Sequence, residues 1–337
     1  MIAQTHPSWE QIVVDDGSTD GTPDVMRRCA DPRVRYVRRE HRGIERLPET
    51  YNDLLSQCRA PLVAILEGDD YWPADKLATL LPAFDDPDVV LAYGTTEVVG
   101  DTRGIGTPTI PTPSFSRRFP PGALVNEPRG QAALAMMDPH ALTFTYPVSV
   151  IVRRSALERI GGFQARPGLP VTDFPTFLRL CLEGRFHYEP RTMGYWRVHS
   201  AGYSRAAGAS ILPAVLDEIR RFRREHGARI PEPPGGWDAA EDAWRENLGW
   251  ASLVDGRRRL LEGDAKTARQ AMWRAVRFAP WRSRVLAVAA IVASFGGLSV
   301  EWVYRFSGRD WWRRSDGGVE RVEVAGSPLP TADPARR

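Results

Sequence analysis

This sequence of 337 residues contains few cysteines and few lysines, and its net charge is small. The three cysteines, Cys29, Cys58 and Cys181, are odd in number and lack metal-type spacing. This argues against a disulfide framework or a zinc site and favours a reduced, cytoplasmic compartment. Only Lys76 and Lys266 are lysines among 45 basic residues, and a net charge of +3 does not indicate a nucleic-acid-binding protein. No charged segment followed by an apolar one opens the chain, so no signal peptide is predicted.

The first two-thirds of the chain alternate short apolar runs with helical segments. Strands are predicted over Gln11–Val14, Val34–Val37, Leu62–Leu66, Val89–Tyr93 and Val148–Val152. Helices are predicted between them, over Thr22–Cys29, Leu47–Gln57 and Asp75–Leu81. This alternation predicts an α/β fold with a mainly parallel sheet flanked by helices. In such folds ligands bind beyond the carboxyl ends of the strands, so polar residues there are candidate site residues.

Acidic residues recur at three such positions. They are Asp15 and Asp16 after "QIVV", Glu67, Asp69 and Asp70 in "LEGDDYWPADKL", and Asp173 in "LPVTDFPTFLRL". A single carboxylate after a strand is often a turn former or a helix N-cap. The recurrence of acidic residues at three places instead favours a functional site. The motifs Trp72-Pro73 and Arg197-x-His199 point the same way.

The second acidic group indicates a metal ion. Glu67, Asp69 and Asp70 would repel one another unless a cation or several hydrogen-bond donors offset their charge. Mg²⁺ and Mn²⁺ prefer carboxylate oxygens and bridge to substrate phosphates. Asp16 could accept hydrogen bonds from a nucleotide base or ribose, and Asp173 is then available as a general base.

These motifs resemble the family 2 glycosyltransferases, which have the GT-A fold. "VVDDGSTDGT" is close to the first signature of that family, and "LEGDDYWPADKL" is similar to its metal-binding D-x-D block. "TDFPTFLRLCLEGRFHYEP" resembles the block that carries the catalytic base, and "YWRVHSAGYSR" resembles the closing Arg-x-His segment. The resemblance covers about residues 1–205.

The resemblance implies a role for each matching residue. Five residues would bind a nucleotide-sugar donor: Asp15, Asp16, Arg42, Glu67 and Arg197. Asp69 and His199 would bind Mn²⁺ or Mg²⁺, and Asp173 would be the catalytic base. The implied reaction is an inverting sugar transfer to an acceptor hydroxyl, in the synthesis of envelope or surface glycans.

One departure from the family concerns the start of the domain. Family members open with a strand and a helix before the segment that is "AQTHPSWE" here, and this sequence lacks both. Since that strand is central in the sheet, its loss should expose apolar strand edges. A misassigned start is the favoured explanation, and a real truncation or a degraded inactive copy are the others. The alternative functions are therefore an inactive nucleotide-sugar-binding remnant and a nucleotidyltransferase, although the latter should have a Gly-rich phosphate loop.

The chain is expected to have four regions. A GT-A domain over residues 1–205 precedes a helical extension over 206–282, an apolar helix over 283–306 and a disordered polar tail over 307–337. The uncharged segment Val285–Val300, at about 16 residues, is shorter than the roughly 20 that span a bilayer. Its flanking Arg and Trp residues suit either a peripheral helix at the inner face of the cytoplasmic membrane or a buried packing helix. The expected partners are a nucleotide-sugar donor and a glycan or lipid-linked acceptor, without nucleic acid.

Overall fold

The computed structural model describes residues 1–101, 109–111, 115–139, 144–199, 202–203 and 208–295. The strands in these ranges are β1 (Gln11–Asp15), β2 (Val34–Arg38), β3 (Leu62–Ala64), β4 (Val89–Gly100), β5 (Thr109–Ile110), β6 (Val150–Arg153) and β7 (Arg185–Val198). The first helices are α1 (Thr22–Arg28), α2 (Leu47–Gln57), α3 (Lys76–Leu80), α4 (Phe115–Arg118), α5 (Gly122–Val125), α6 (Gln131–Met136), α7 (Arg154–Arg159) and α8 (Asp173–Leu180). The C-terminal helices are α9 (Leu212–His226), α10 (Gly236–Leu261), α11 (Ala265–Phe278) and α12 (Trp281–Phe295).

The strands form two sheets. Strands β1 and β2 pair in parallel, and a second sheet has the order β3-β6-β4-β5, with β7 pairing β4 as well. The pairs β3–β6, β4–β6 and β4–β5 are antiparallel, whereas β4–β7 is parallel. The α/β class is as predicted, but the second sheet is mixed rather than mainly parallel. Continuous apolar runs such as β4 are buried on both faces in either arrangement, so burial alone did not reveal strand direction.

Strand β7 has no counterpart among the strands predicted from the sequence. Pro190 and Gly194 interrupt its pattern, and both residues are depleted in strands. The strand accommodates them through register shifts against β4, which are β-bulges or irregularities. Gly194 is needed there because a Cβ at this position would lie only 2.8 Å from the carbonyl of Val148.

The main hydrophobic core joins the second sheet to the helical extension. Tyr93 of β4 and Val152 of β6 share this core with Phe222 of α9 and Trp244 of α10. The indole N–H of Trp244 donates a hydrogen bond to the carbonyl of Met137. The first part of the extension therefore packs directly on the sheet that carries the acidic residues.

A smaller apolar cluster holds the last three helices together. Leu253 of α10, Met272 of α11 and Ala290 of α12 are among its buried members. Gly249 of α10 allows close contact, because a Cβ there would lie 2.3 Å from the backbone nitrogen of Ala279. None of the helices in the described ranges combines the length and the apolar character that crossing a membrane requires. Residues 296–306 of the predicted apolar helix and the tail 307–337 lie outside those ranges.

Residues 102–129, whose content of Pro, Gly, Ser and Thr is typical of a long loop, are only partly described. Where they are described, they contain β5 and the short helices α4 and α5. The Pro and Gly residues that suggested a loop therefore separate short elements in this part of the chain. Ala123 of α5 is fully buried in the main core, so the segment packs on the domain rather than extending from it.

Candidate active site

Asp15 closes the turn that follows β1. Its carboxylate accepts a hydrogen bond of 2.7 Å from the Ser18 N–H and another from the Tyr36 hydroxyl. These hydrogen bonds, that from Tyr36 first, hold the pKa of Asp15 at about 2. The side chain is fully buried. Asp15 thus supports the turn after β1, and direct contact with a nucleotide would require these bonds to break.

Asp16 points to the loop that follows β2. Its carboxylate accepts hydrogen bonds from the N–H of Gly43 at 3.0 Å and of Arg42 at 3.1 Å. The Arg39 Nε lies 3.2 Å from the same carboxylate. Burial alone would raise the pKa of Asp16, but these donors outweigh it and hold the pKa below its usual value. Asp16 is therefore a charged acceptor whose donors come from its own chain.

Two arginines lie beside Asp16, and sequence analysis identified only one of them. The predicted Arg42 uses its backbone N–H for Asp16, while its guanidinium pairs with Asp53 at 3.2 Å on the surface. Arg39 was missed, although its side chain is only 16% exposed and contacts Asp16, Asp53 and Thr50. A signal was present: Arg39 directly follows β2 as Asp16 follows β1, and adjacent parallel strands end at one edge.

The second acidic group forms a compact cluster after β3. Glu67, Asp69 and Asp70 each offer one carboxylate oxygen, and these three oxygens lie within 4.8 Å of one another. Asp70 received no separate role in the sequence analysis, which assigned the metal to Asp69 and His199. The structure makes it an equal member of the cluster.

Residues from distant parts of the chain position this acidic cluster. The Tyr51 hydroxyl on α2 donates a 3.0 Å hydrogen bond to Glu67 Oε1. The Arg197 N–H at the end of β7 donates to Asp70 Oδ1 at 2.9 Å. His199 Nε2 lies 3.0 Å from Asp69 Oδ2. Sequence analysis missed Tyr51, since nothing in its helical context indicates contact with a residue 16 positions away.

Burial and mutual repulsion make the cluster resist full ionisation. Desolvation, reinforced by the neighbouring carboxylates, raises the pKa of Glu67 to about 7 despite the hydrogen bond from Tyr51. Desolvation and Asp69 raise the pKa of Asp70 to about 6, against the Arg197 N–H. Neighbouring protein atoms desolvate the Glu67 carboxyl, yet the residue as a whole is still exposed to water. A bound cation would relieve this repulsion, and three carboxylates are the ligands that Mg²⁺ and Mn²⁺ prefer.

Asp173 is the first residue of α8. Burial raises the pKa of its carboxyl, while the Phe174 N–H lowers it. A carboxylate whose pKa is shifted toward neutrality is a better proton acceptor at physiological pH than an ordinary aspartate. Asp173 therefore has a carboxyl with a raised pKa, and it lines the same cavity as the acidic cluster.

Arg197 lies near the end of β7, and His199 directly follows that strand. The Arg197 guanidinium is exposed and lies 5.7 Å from the ring centroid of Tyr71, which stacks on Tyr195 at 4.5 Å. Arg197 donates its backbone N–H to the acidic cluster, whereas His199 contacts the cluster through its ring. The two residues therefore contact the cluster through different groups.

One cavity of about 1280 Å³ is lined by four of the eight predicted site residues, Asp16, Glu67, Asp69 and Asp173. The other four, Asp15, Arg42, Arg197 and His199, are not in its lining. Its polar lining includes Asp16, Arg39, Glu67, Asp69, Asp70 and Asp173. Its apolar part is lined by consecutive residues of both β1 (Gln11–Val14) and β3 (Leu62–Ala64), which belong to different sheets.

Comparison with known proteins agrees with the geometry. Residues 1–161 match the family model described as glycosyl transferase family 2. TuaG of Bacillus subtilis (strain 168), whose name assigns it to teichuronic acid biosynthesis as a glycosyltransferase, is 38% identical over 79 residues. This match covers 23% of the chain and 31% of TuaG. The Escherichia coli protein WfgD, named a UDP-Glc:alpha-D-GlcNAc-diphosphoundecaprenol beta-1,3-glucosyltransferase, is 26% identical over 106 residues, or 32% of the chain and 41% of WfgD.

Among solved structures, a mannosyltransferase from Pyrobaculum calidifontis, PcManGT in complex with GDP-Man and Mn²⁺, has 22% identity and a TM-score of 0.46. The alignment covers 93% of this chain and 81% of that one. The chain spans less than half the length of TuaG and of WfgD. The family match confirms the resemblance found in the motifs and the GT-A class of α/β fold. The family assignment therefore applies to residues 1–161, which are just under half of the chain.

Proposed function

We propose that the protein transfers a sugar from a nucleotide-sugar donor to an acceptor hydroxyl, with inversion, in the synthesis of envelope or surface glycans. One observation carries this proposal: Asp16, the cluster of Glu67, Asp69 and Asp70, and Asp173 all line a single cavity. These three groups are far apart in sequence: Asp16 follows β1, the cluster follows β3, and Asp173 begins α8. The match of residues 1–161 to glycosyl transferase family 2 supports the same chemistry.

The donor nucleotide would lie at the ends of β1 and β2. Asp16 would accept hydrogen bonds from the base, in exchange for the N–H donors of Arg42 and Gly43 that it now holds. Asp15 would keep the turn in place by accepting the hydrogen bond from the Ser18 N–H. Arg39 adds a positive charge at this end of the cavity, where it can face the donor.

A divalent cation, Mn²⁺ or Mg²⁺, fits the next part of the cavity. Asp69 and His199 are the proposed ligands, and Asp70 and Glu67 lie close enough to contribute an oxygen directly or through water. The ion, when bound, would offset the charge of the departing diphosphate. Arg197 would add a second positive charge there by rotating its exposed side chain.

Asp173 is the proposed catalytic base. Its carboxylate would accept the proton of the acceptor hydroxyl as that oxygen attacks the anomeric carbon of the sugar. The bond between the anomeric carbon and the diphosphate oxygen breaks in the same step, and the nucleoside diphosphate leaves. A single displacement of this kind inverts the anomeric configuration and needs no covalent enzyme intermediate.

The test compares Asp173→Asn with Asp242→Asn, the same substitution at an exposed position of α10. Transfer and donor hydrolysis are measured over a panel of nucleotide sugars, with Mn²⁺, with Mg²⁺ and with a chelator. We expect Asp173→Asn to lower turnover on the order of 10²–10⁴-fold while donor binding persists. Asp242→Asn should retain full turnover. Equal turnover in the two variants would refute the role of Asp173.

A binding-only function is the second candidate, and one observation favours it. The β1–β2 sheet is separated from β3 by the apolar part of the cavity, and the Asp16 carboxylate is already bound by its own chain. Calorimetric binding of nucleoside diphosphates without turnover of any donor would support this candidate over the transferase. The proposed acceptor is a glycan or a lipid-linked saccharide, and the proposed location is the cytoplasm or the inner face of the cytoplasmic membrane.

A further inference from the structure

Helix α12 carries an exposed apolar stripe. Its members, which we call the α12 stripe, are Trp281, Val285, Val288, Val292 and Phe295. Their spacing of four, three, four and three residues places them on one face of the helix. Their exposed fractions run from 45% to 73%, although large apolar side chains are usually buried.

The opposite face of α12 is already used for packing. Ala287, Ala290 and Ile291 are buried in the cluster that joins α12 to α10 and α11. The helix therefore does not need its exposed stripe to hold its place in the fold. A contiguous apolar stripe left in water generally marks an interaction surface.

The two helices nearest the stripe, α11 and α12, carry charged residues of one sign only. Residues 265–295, which form α11, α12 and their connection, contain six basic residues and no acidic one. The basic residues are Lys266, Arg269, Arg274, Arg277, Arg282 and Arg284. Two of them touch the aromatic ends of the stripe: the Arg269 guanidinium lies 4.4 Å from the Phe295 ring centroid, and that of Arg282 lies 5.2 Å from the Trp281 ring.

We propose that the α12 stripe docks on an anionic lipid surface, with the helix parallel to the membrane plane. The apolar side chains would enter the boundary between headgroups and acyl chains, and the surrounding arginines would bind lipid phosphates. Trp281 suits this environment because an indole has an apolar body and a polar N–H. A second copy of the chain fits less well, since pairing two stripes would bring Arg269 and Arg282, which lie against the aromatic ends of each stripe, close to the same residues of the other copy.

This inference goes beyond the proposed sugar transfer and does not depend on it. The stripe contains none of the proposed donor, metal or base residues, and the cavity is lined by other parts of the chain. Membrane binding can therefore be measured without any assay of activity. A failed transferase assay would leave the inference intact, and failed membrane binding would leave the transferase proposal intact.

The experiment measures co-flotation of the full chain with vesicles. One set contains phosphatidylglycerol and phosphatidylcholine in equal parts, and the other contains phosphatidylcholine alone. We expect binding to the anionic set, weaker binding at high salt and little binding to the neutral set. Val292→Glu should weaken binding by about tenfold or more, because it places a charge within the stripe.

The matched control is Val25→Glu on α1, which makes the same substitution at a similarly exposed valine, 57% against 67% for Val292. Arg282→Gln tests the charge separately, and it should weaken binding to anionic vesicles without altering the unfolding temperature. Equal binding by Val292→Glu and Val25→Glu would overturn the proposal, as would no binding to anionic vesicles. Self-association in sedimentation velocity that Val292→Glu abolishes would identify the stripe as a contact between copies instead.

Discussion

Two acidic regions follow strands in this protein, and their electrostatics are opposite. Asp15 and Asp16 after β1 receive hydrogen bonds from backbone N–H groups and side chains, and the pKa of each lies below its usual value. Glu67 and Asp70 after β3 have raised pKa values because desolvation and neighbouring carboxylates outweigh their few donors. Carboxylates that are adjacent in sequence can therefore accept hydrogen bonds from the protein itself, as after β1. They can also have too few donors, as after β3, so that a cation would stabilise them.

The contrast suggests a division of labour within the cavity. The first pair shapes a turn and presents an acceptor to the donor nucleotide, whereas the second group concentrates negative charge where a cation is proposed. Four experiments can break or sharpen this comparison. They are ordered from the largest expected effect to the smallest.

Asp69→Asn should have the largest effect, a loss of Mn²⁺-dependent turnover on the order of a hundredfold at limiting metal. The amide keeps the shape of the side chain but removes the charge that the proposed metal needs. The measurement is the transfer rate as a function of Mn²⁺ concentration, with Asp242→Asn as the control. An unchanged metal dependence would show that the cluster does not hold the cation.

Asp15→Asn should act on stability rather than on metal. The amide is a weaker acceptor for the Tyr36 hydroxyl and the Ser18 N–H, and we expect the free energy of unfolding to fall by about 1–3 kcal/mol. Urea denaturation measures this change. The dependence of turnover on Mn²⁺ should stay as in the unmodified chain, and a shifted Mn²⁺ dependence would break the proposed contrast.

Arg39→Gln and Arg42→Gln form a matched pair on the donor side. Arg39 is mostly buried and contacts Asp16, so its substitution should lower the free energy of unfolding by about 1.5 kcal/mol. The Arg42 guanidinium pairs with Asp53 at the surface, so its substitution should cost less than about 1 kcal/mol. Calorimetric titration with nucleoside diphosphates should show the same order, and the reverse order would favour the original assignment of Arg42.

The smallest expected effect is a difference in how stability depends on pH. The Glu67 pKa is raised from 4.5 to about 7 in the folded chain, so its contribution to stability is full below pH 4.5 and is lost as the pH rises through about 7. Asp15 behaves in the opposite way, since its contribution is full above pH 3.8 and is lost as the pH falls through about 2. Because water in the cavity screens Glu67, its effect should be modest.

Thermal unfolding between pH 4.5 and about 7 measures the Glu67 contribution. In Glu67→Gln the fall in unfolding temperature over this window should flatten, and adding Mn²⁺ to the unmodified chain should flatten it too. Glu158→Gln, at an exposed position of α7, is the control and should leave the slope unchanged. A Glu67→Gln profile identical to that of the control would remove the electrostatic contrast between the two regions.

Sequence reasoning predicted much of the local structure. The strands β1, β2, β3, β4 and β6 and the helix α2 lie where apolar runs and turn residues indicated them. Strand β7 could not be predicted, because Pro190 and Gly194 make sense only with the bulged pairing against β4. The direction of the strands in the second sheet could not be predicted from the sequence either, since a buried strand has the same apolar pattern whichever way it runs.

The candidate site divides in the same way. Asp16, Glu67, Asp69 and Asp173 could be selected from motifs, and they do line one cavity. Tyr51 could not, because its contact with Glu67 depends on how α2 packs against the end of β3.

The sequence by itself determined the family resemblance of residues 1–161, the local elements and which carboxylates follow which strands, because these depend on neighbouring residues. Only the tertiary structure decided how those carboxylates ionise. A pKa depends on desolvation and on donors from distant segments, such as the N–H of Gly43 for Asp16 and the Tyr51 hydroxyl for Glu67. The carboxylates after β1 therefore accept hydrogen bonds around a turn, whereas those after β3 form a cluster in which they repel one another.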